Sequence, residues 1–248
     1  MHRFFADSKD ISQNSIKLSD EDFKHIRTLR LRPDEHFIVC DGNGTDYTCK
    51  LGSNEKHGAV QIVGCNLSTA EPTVNCKLFI AFSKGDRLDY AIQKSVELGV
   101  TEILLFESER CVAVPNDIPK KVTRLSRIAL ETAKLCGRGI IPAVSYAGDF
   151  TSAVENAVKS SDLTLFFYES EEKVHIKSIL QQYFHKPLKD KKYEISIITG
   201  PEGGFALHEV DYARSKGIPI ITLGPRILRS ETAPVVALAA IMYQTDNM

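Results

Sequence analysis

The stretch ITGPEGGFALHEV (198–210) is followed closely by LGPRILRSETAPVVALAAIMY (223–243), and together they decide how the chain is read. The first closes the β-branched run ISII (195–198) with Gly200, Pro201, Gly203 and Gly204. Such a run reads as a buried parallel strand, and in open α/β sheets ligands sit beyond the carboxyl ends of strands. Glycines there let the backbone approach a ligand closely. A phosphate loop of the G-x-x-x-x-G-K-[ST] kind needs a lysine and a hydroxyl that are absent, and G-x-G-x-x-G has another spacing. The turn therefore suits a ligand read by backbone groups and shape, or else is a purely structural turn.

The second stretch repeats the device. IPIITLG (218–224) reads as a strand ending in glycine, with Arg226 and Arg229 just beyond. Ser230 or Thr232 can cap the next helix, and Pro234 is tolerated in its first turn. From Ala233 to Met242 no residue is polar. A helix apolar on every side must be covered on every side, and this one is far too short to span a membrane. It belongs inside a domain or between subunits. Two neighbouring strand ends with glycine turns can set their loops around one pocket.

Working outward, the rhythm from Cys76 onward is strand, helix, strand. Candidate strands are Lys77–Phe82, Ile103–Phe106, Leu163–Tyr168, Ile195–Ile198 and Ile218–Leu223. Candidate helices are Asp86–Leu98, Lys120–Cys136, Thr151–Lys159, Lys173–Phe184 and Leu207–Lys216. Gly99 and Gly217 stand just past helix ends, where a left-handed residue is favoured. This alternation predicts an α/β domain with a parallel sheet covered on both faces. The first seventy residues differ: HFIVCDGNGTDYTCKL (36–51) and GAVQIVGC (58–65) are short β runs with turn chemistry between them. One helix interrupts them in SDEDFKHIRTLRL (19–31), with Ser19 as N-cap and Pro33 just past its end. The expected division is a small β-rich domain over 1–70 and an α/β domain over 71–248, joined near Pro72.

Composition limits the function classes. Hydrophobic content of 43% and charged content of 25% are those of a globular protein. No apolar run approaches the roughly 20 residues of a membrane helix, and MHRFFADSKD lacks a signal-peptide core, so a cytoplasmic location is expected. The six cysteines are scattered without a C-x-x-C pair, so they read as reduced, mostly buried thiols, with no metal site. The formal net charge is −1, so any nucleic acid must be held by a local patch. One candidate patch lies in PKKVTRLSRIALETAKLCGRG (119–139). There Lys120, Arg124, Arg127, Glu131, Lys134 and Arg138 fall on one helical stripe, opposite Val122, Leu125, Ala129 and Cys136. It reads either as a phosphate-tracking face or as an ordinary solvated one. Arg3, His25, Arg27, Arg30 and Arg32 are further cations, near Phe4, Phe5 and Phe23; Phe4 and Phe5 are assigned to packing.

ITGPEGGF with LGPRILRSETA resembles the 16S ribosomal RNA (uracil-N3)-methyltransferase family of the SPOUT class. AIQKSVELGVTEI (91–103) looks like the family's first helix, with Gln93, Lys94, Glu97, Leu98 and Gly99 in its pattern; RFF (3–5), His25 and Arg30 look like its N-terminal RNA-binding domain. The resemblance covers nearly the whole chain. It implies a SPOUT-type parallel sheet with a C-terminal trefoil knot binding S-adenosylmethionine, preceded by a small PUA-like β-barrel domain. It also implies a homodimer acting on 16S rRNA of the small ribosomal subunit. By the same implication Thr199, Gly200, Glu202, Gly203, Leu223, Gly224, Ile227 and Leu228 line the cofactor site. RNA contacts are expected from Arg3, His25, Arg30, Lys94, Arg124, Arg127, Lys134 and Arg138. Leu135 stands where the family commonly has glutamine, and Ala206 where serine is common, which removes a possible helix cap.

Methyl transfer to a ring nitrogen is a direct displacement, so the protein mainly aligns donor and acceptor. The uracil N3 proton must leave, which asks for a cation to stabilise the anion or a carboxylate to take the proton. Arg229 and Arg138 are the candidate cations, and Glu202 or Glu231 the candidate base. No cysteine is needed, since the nitrogen attacks directly. The competing class is a non-catalytic RNA-binding ribosome-assembly module on the same fold.

Overall fold

The structure, a computed structural model, describes residues 2–32, 35–52, 58–185 and 192–248; Pro33, expected as a helix stop, lies outside them. It divides into two compact units: residues 1–71 with 131–141, and residues 72–130 with 142–248.

In the first unit, β1 (Arg3–Phe5), β2 (Ser15–Lys17), β3 (Phe37–Cys40), β4 (Thr45–Lys50) and β5 (Ala59–Leu67) form a sheet of order β1-β3-β4-β5-β2. All pairs are antiparallel except β1 with β3. Its core gathers Phe4, Ile16, Leu18, Phe37, Val39, Cys49 and Val60 under Ile26 of α1 (Asp20–Leu29). Ser19 starts α1 by accepting from the Asp22 N–H, satisfying an orphan helix donor. Arg30 ends it in the left-handed conformation. The C-terminal turn of the long helix, 131–136, and the segment after it complete this unit through one partly buried carboxylate. Glu71 accepts from Arg138 and from the backbone N–H groups of Gly139 and Ile140. Gly139 is obligatory, since a Cβ there would lie 2.4 Å from that of Ser68.

The second unit is a six-stranded sheet with every pair parallel, ordered β11-β9-β10-β6-β7-β8. The strands are β6 (Asn75–Ala81), β7 (Glu102–Glu107), β8 (Ala143–Asp149), β9 (Leu163–Phe167), β10 (Glu194–Thr199) and β11 (Ile220–Ile221). The helices are α2 (Arg87–Glu97), α3 (Ile118–Cys136, in this unit up to Leu130), α4 (Phe150–Lys159), α5 (Ile176–Tyr183), α6 (Leu207–Ser215) and α7 (Thr232–Gln244). The expected strand Ile218–Leu223 shrinks to two paired residues, and α5 starts later than Lys173 because Glu171 binds the backbone of Lys173 and Val174 in a turn. Ala206 has no side-chain cap, yet half of a capping box survives, since buried Glu209 accepts from the Ala206 N–H.

Between β6 and β10 the chain reverses its lateral direction. From β6 it moves to β7 on one side; from β10 it passes over β9 to β11 on the other. The loops leaving the carboxyl ends of these two strands therefore diverge and open a crevice. Helix α7 packs along α2, α5 and β10, burying Ala237, Leu238, Ile241 and Met242. Its coverage is one-sided: Val236 and Tyr243 stay exposed on the outer face.

Because Leu238 is fully buried, Leu238→Ala should cost about 2–5 kcal/mol through lost transfer energy and a residual cavity. Urea unfolding checks this, and a cost under about 1 kcal/mol would mean that α7 is loosely seated.

Candidate active site

A cavity of about 590 Å³ opens at these carboxyl ends, a volume within the usual small-molecule range. Its walls come from the loop after β10 (Thr199–Gly204), the loop after β11 (Leu223–Glu231), the loop after β9 (Tyr168, Glu169) and Arg87 at the start of α2. Thr199, Gly200, Glu202, Gly203, Leu223, Gly224, Ile227 and Leu228 all line it, as do Arg229 and Glu231. Ile227 is 82% exposed, an apolar side chain held at the rim.

The glycines act differently from the expectation. A Cβ on Gly200 would meet the Phe205 ring at 3.0 Å, and one on Gly203 would meet the Cβ and carbonyl oxygen of Arg110 at 3.0 Å. Both absences admit neighbouring protein and not the ligand. Gly224 is the reverse case: its φ of +115° demands glycine, and a Cβ would find nothing within 4 Å.

The electrostatics centre on Glu202. Its Oε1 accepts from the Lys84 N–H at 2.7 Å and from the Arg87 guanidinium. Burial alone would raise its pKa, but the Lys84 N–H and Arg87 outweigh burial and hold the carboxyl below the ordinary range. That makes Glu202 a stable anion and a weak base. Among the described residues its Oε2 and the Thr199 Oγ1 are buried without a hydrogen-bond partner, two polar atoms at the cavity wall suited to a hydrogen-bonding ligand. Glu231 lies 3.6 Å from Arg87 and 3.9 Å from Arg229. The Arg229 side chain is 81% exposed, leaving its guanidinium open to a substrate.

Other candidates are placed elsewhere. Arg138 is 2% exposed and paired with Glu71 at 2.7 Å, so it is a structural ion pair and not a free cation at the cavity. Arg3 forms a two-pronged pair with Asp46, at 2.6 and 2.7 Å, in a largely buried setting. On the basic stripe Arg124 pairs with Asp89, and Lys134 with Asp22 and Glu131. Lys94 pairs with Glu97. His25, Arg30 and Arg127 are exposed, and His25 lies edge-on to the Phe4 ring. Cys136, expected toward a core, is exposed. Burial pushes the Cys40 thiol up to about 11 and those of Cys49 and Cys76 up to about 12, so none is a thiolate at neutral pH. Among the described residues no helix is long and apolar enough to cross a membrane.

Arg87 and Glu169 are cavity residues that the sequence reading passed over. Both sit just past strands, β6 and β9, so the rule that placed the ligand at strand ends could have found them.

The chain matches the RNA methyltransferase domain over residues 70–242 and the RNA methyltransferase PUA domain over residues 18–63. It is 32% identical over 241 residues to the ribosomal RNA small subunit methyltransferase E of Mesomycoplasma hyopneumoniae, covering 96% of this chain and 97% of that one. It is 30% identical to the Bacillus subtilis protein of the same name, covering 94% and 91%. A solved structure of the enzyme from Neisseria gonorrhoeae, bound to S-adenosyl methionine, is 31% identical with a TM-score of 0.82, covering 98% and 97%. The fold is thus a SPOUT-type parallel sheet, preceded by a PUA-like β unit.

Glu202 supplies a pH test. Its depressed pKa means its ionised form is favoured by folding, so its contribution is full above the unfolded value of about 4.3 and fades as pH falls through the folded value. Glu202→Gln should therefore be less stable than the native chain at about pH 7, with the difference shrinking as the pH falls below the unfolded value. Urea unfolding across that range decides it; a difference that grows toward acid would reverse the assignment. With cavity, loops and near-full-length likeness in place, the chain belongs to the ribosomal RNA small subunit methyltransferase E family.

Proposed function

We infer that this chain methylates the N3 position of a uridine in 16S rRNA, using S-adenosylmethionine as donor. The observation that carries the reading is the cavity shared by the loops after β10 and β11, in a chain of this family. Two orphaned polar atoms and a rim of apolar and backbone groups suit an amphiphilic nucleoside ligand of that size. The residues assigned to hold it are Thr199, Gly200, Glu202, Gly203, Leu223, Gly224, Ile227 and Leu228. When bound, S-adenosylmethionine supplies a methyl group on a sulfonium centre already activated toward nucleophiles.

The chain's own residues then have separable tasks. Glu202 anchors the loop, because its carboxylate is engaged by Lys84 and Arg87. Glu231 is the carboxylate we assign to take the N3 proton. With Arg138 tied to Glu71, the cation that stabilises the developing uracil anion is Arg229. The exposed His25, Arg30 and Arg127 are assigned to RNA. Lys94 and Arg124 join them by exchanging a surface carboxylate for phosphate, since such exposed pairs are worth little. Residues 1–71 with 131–141 form the RNA-recognising unit, and the remainder the methyltransferase unit. The cytoplasm, where the substrate resides, is the location that follows.

A homodimer completes the proposal. The outer face of α7 carries exposed Val236 and Tyr243, and a second copy of the chain covers it. Val236→Glu would place a charge in that contact, and light scattering should report a monomer where the native chain is a dimer. A monomeric native chain would remove the dimer from the account.

The activity test uses small-subunit rRNA lacking the modification, methyl-labelled donor and nuclease digestion. Label should appear in N3-methyluridine. Arg229→Ala should lower turnover by about 100-fold while affinity for S-adenosylhomocysteine stays within about threefold. Absence of label, or label in another nucleoside, contradicts the reading; full turnover in the variant removes Arg229 from the chemistry.

A further inference from the structure

The inference rests on the reading of the cavity as a donor site and concerns Arg87, which is not among the residues assigned to hold the donor or to move the proton. Arg87 opens α2 and reaches two elements at once. Its Nη1 donates to Glu202 Oε1 in the loop after β10, and its Nε lies 3.6 Å from Glu231 Oε2 at the N-cap of α7. The two carboxylates are 16% and 14% exposed, whereas Arg87 is 41% exposed. Two largely buried anions from different loops of one cavity, both within reach of the same guanidinium, repel each other and pay for lost hydration unless a cation stands between them. Arg229 contributes weakly, at 3.9 Å from Glu231 and mostly in solvent. The Lys84 backbone N–H helps only Glu202.

We propose that Arg87 is a positioning residue that ties the loop Gly200–Gly204 to the start of α7, setting the spacing of the two cavity walls for the donor. The side-chain type matters. A guanidinium presents donors in a planar fork and can serve two carboxylates together, whereas an ammonium is a single point of charge. The loop after β10 and the helix after β11 leave different strands, and Arg87 is a side-chain link between them. In this role Arg87 acts through Glu202 and Glu231.

Titration calorimetry with S-adenosylhomocysteine tests this on the full chain, with thermal unfolding followed alongside so that each variant is measured while folded. Arg87→Ala should weaken binding by roughly tenfold or more, and Arg87→Lys should recover only part of the loss. Glu231→Gln removes one end of the bridge, so Arg87→Ala with Glu231→Gln should lose less than the product of the two single effects. A purely structural arginine would lower the unfolding temperature yet leave affinity untouched and the two substitutions independent. Native affinity in folded Arg87→Ala, full recovery by lysine, or independent effects would each overturn the proposal. Failure of the native chain to bind the compound would overturn the donor-site reading itself, and this inference with it.

Discussion

Two neighbouring parallel strands, β6 and β10, release their chains to opposite sides of the sheet, and the cavity exists because nothing fills the gap they leave. Close packing normally closes such gaps, and here the sheet's connectivity forbids it. The gap must instead be walled by loops, and their shape is fixed by where glycine is tolerated. Gly200 yields to Phe205, Gly203 yields to Arg110, and Gly224 adopts a conformation that other residues avoid. The Phe205 ring joins Phe106, Phe150 and Phe166 in the core beneath. The loop that faces the ligand is therefore held from behind by the core of its own unit.

Charge does the rest of the holding. Carboxylates from two loops line a partly dehydrated space, and their repulsion would open it without a cation. The chain uses its arginines unequally in consequence. Arg87 is committed to the walls, whereas Arg229 extends into solvent at the rim. A committed cation maintains geometry, and an uncommitted one is available to stabilise charge that appears only during reaction. Elsewhere the same chemistry fastens the fold, as where Glu71 gathers Arg138 and two backbone donors in the first unit.

Local signals in the sequence were reliable where the physics is local. Ser19 capping α1, the glycines past α2 and α6, and the buried parallel strands all follow from neighbouring residues. The strand β8 escaped notice because AVSYAGD is an edge strand with a mixed pattern of exposure and no run of branched residues. The return of residues 131–141 to the first unit left no local trace, since Glu71 and Arg138 are far apart in the chain. Charge was the least legible property. Arg3, Lys134 and Arg138 read as a nucleic-acid surface, but Asp46, Asp22 and Glu71 hold them in ion pairs. At the cavity the glycine motifs located the loops, while the link from Arg87 to Glu202 and Glu231 joins distant parts of the chain and left no local signal.

The central claim is that two separate strand-end loops hold one ligand between them. Nuclear magnetic resonance of the backbone amides of Gly203 and Gly224 during addition of S-adenosylhomocysteine tests it most directly. The account predicts that both signals move and saturate together with a single dissociation constant. Movement of only one, or two different constants, would show that the loops do not share a ligand.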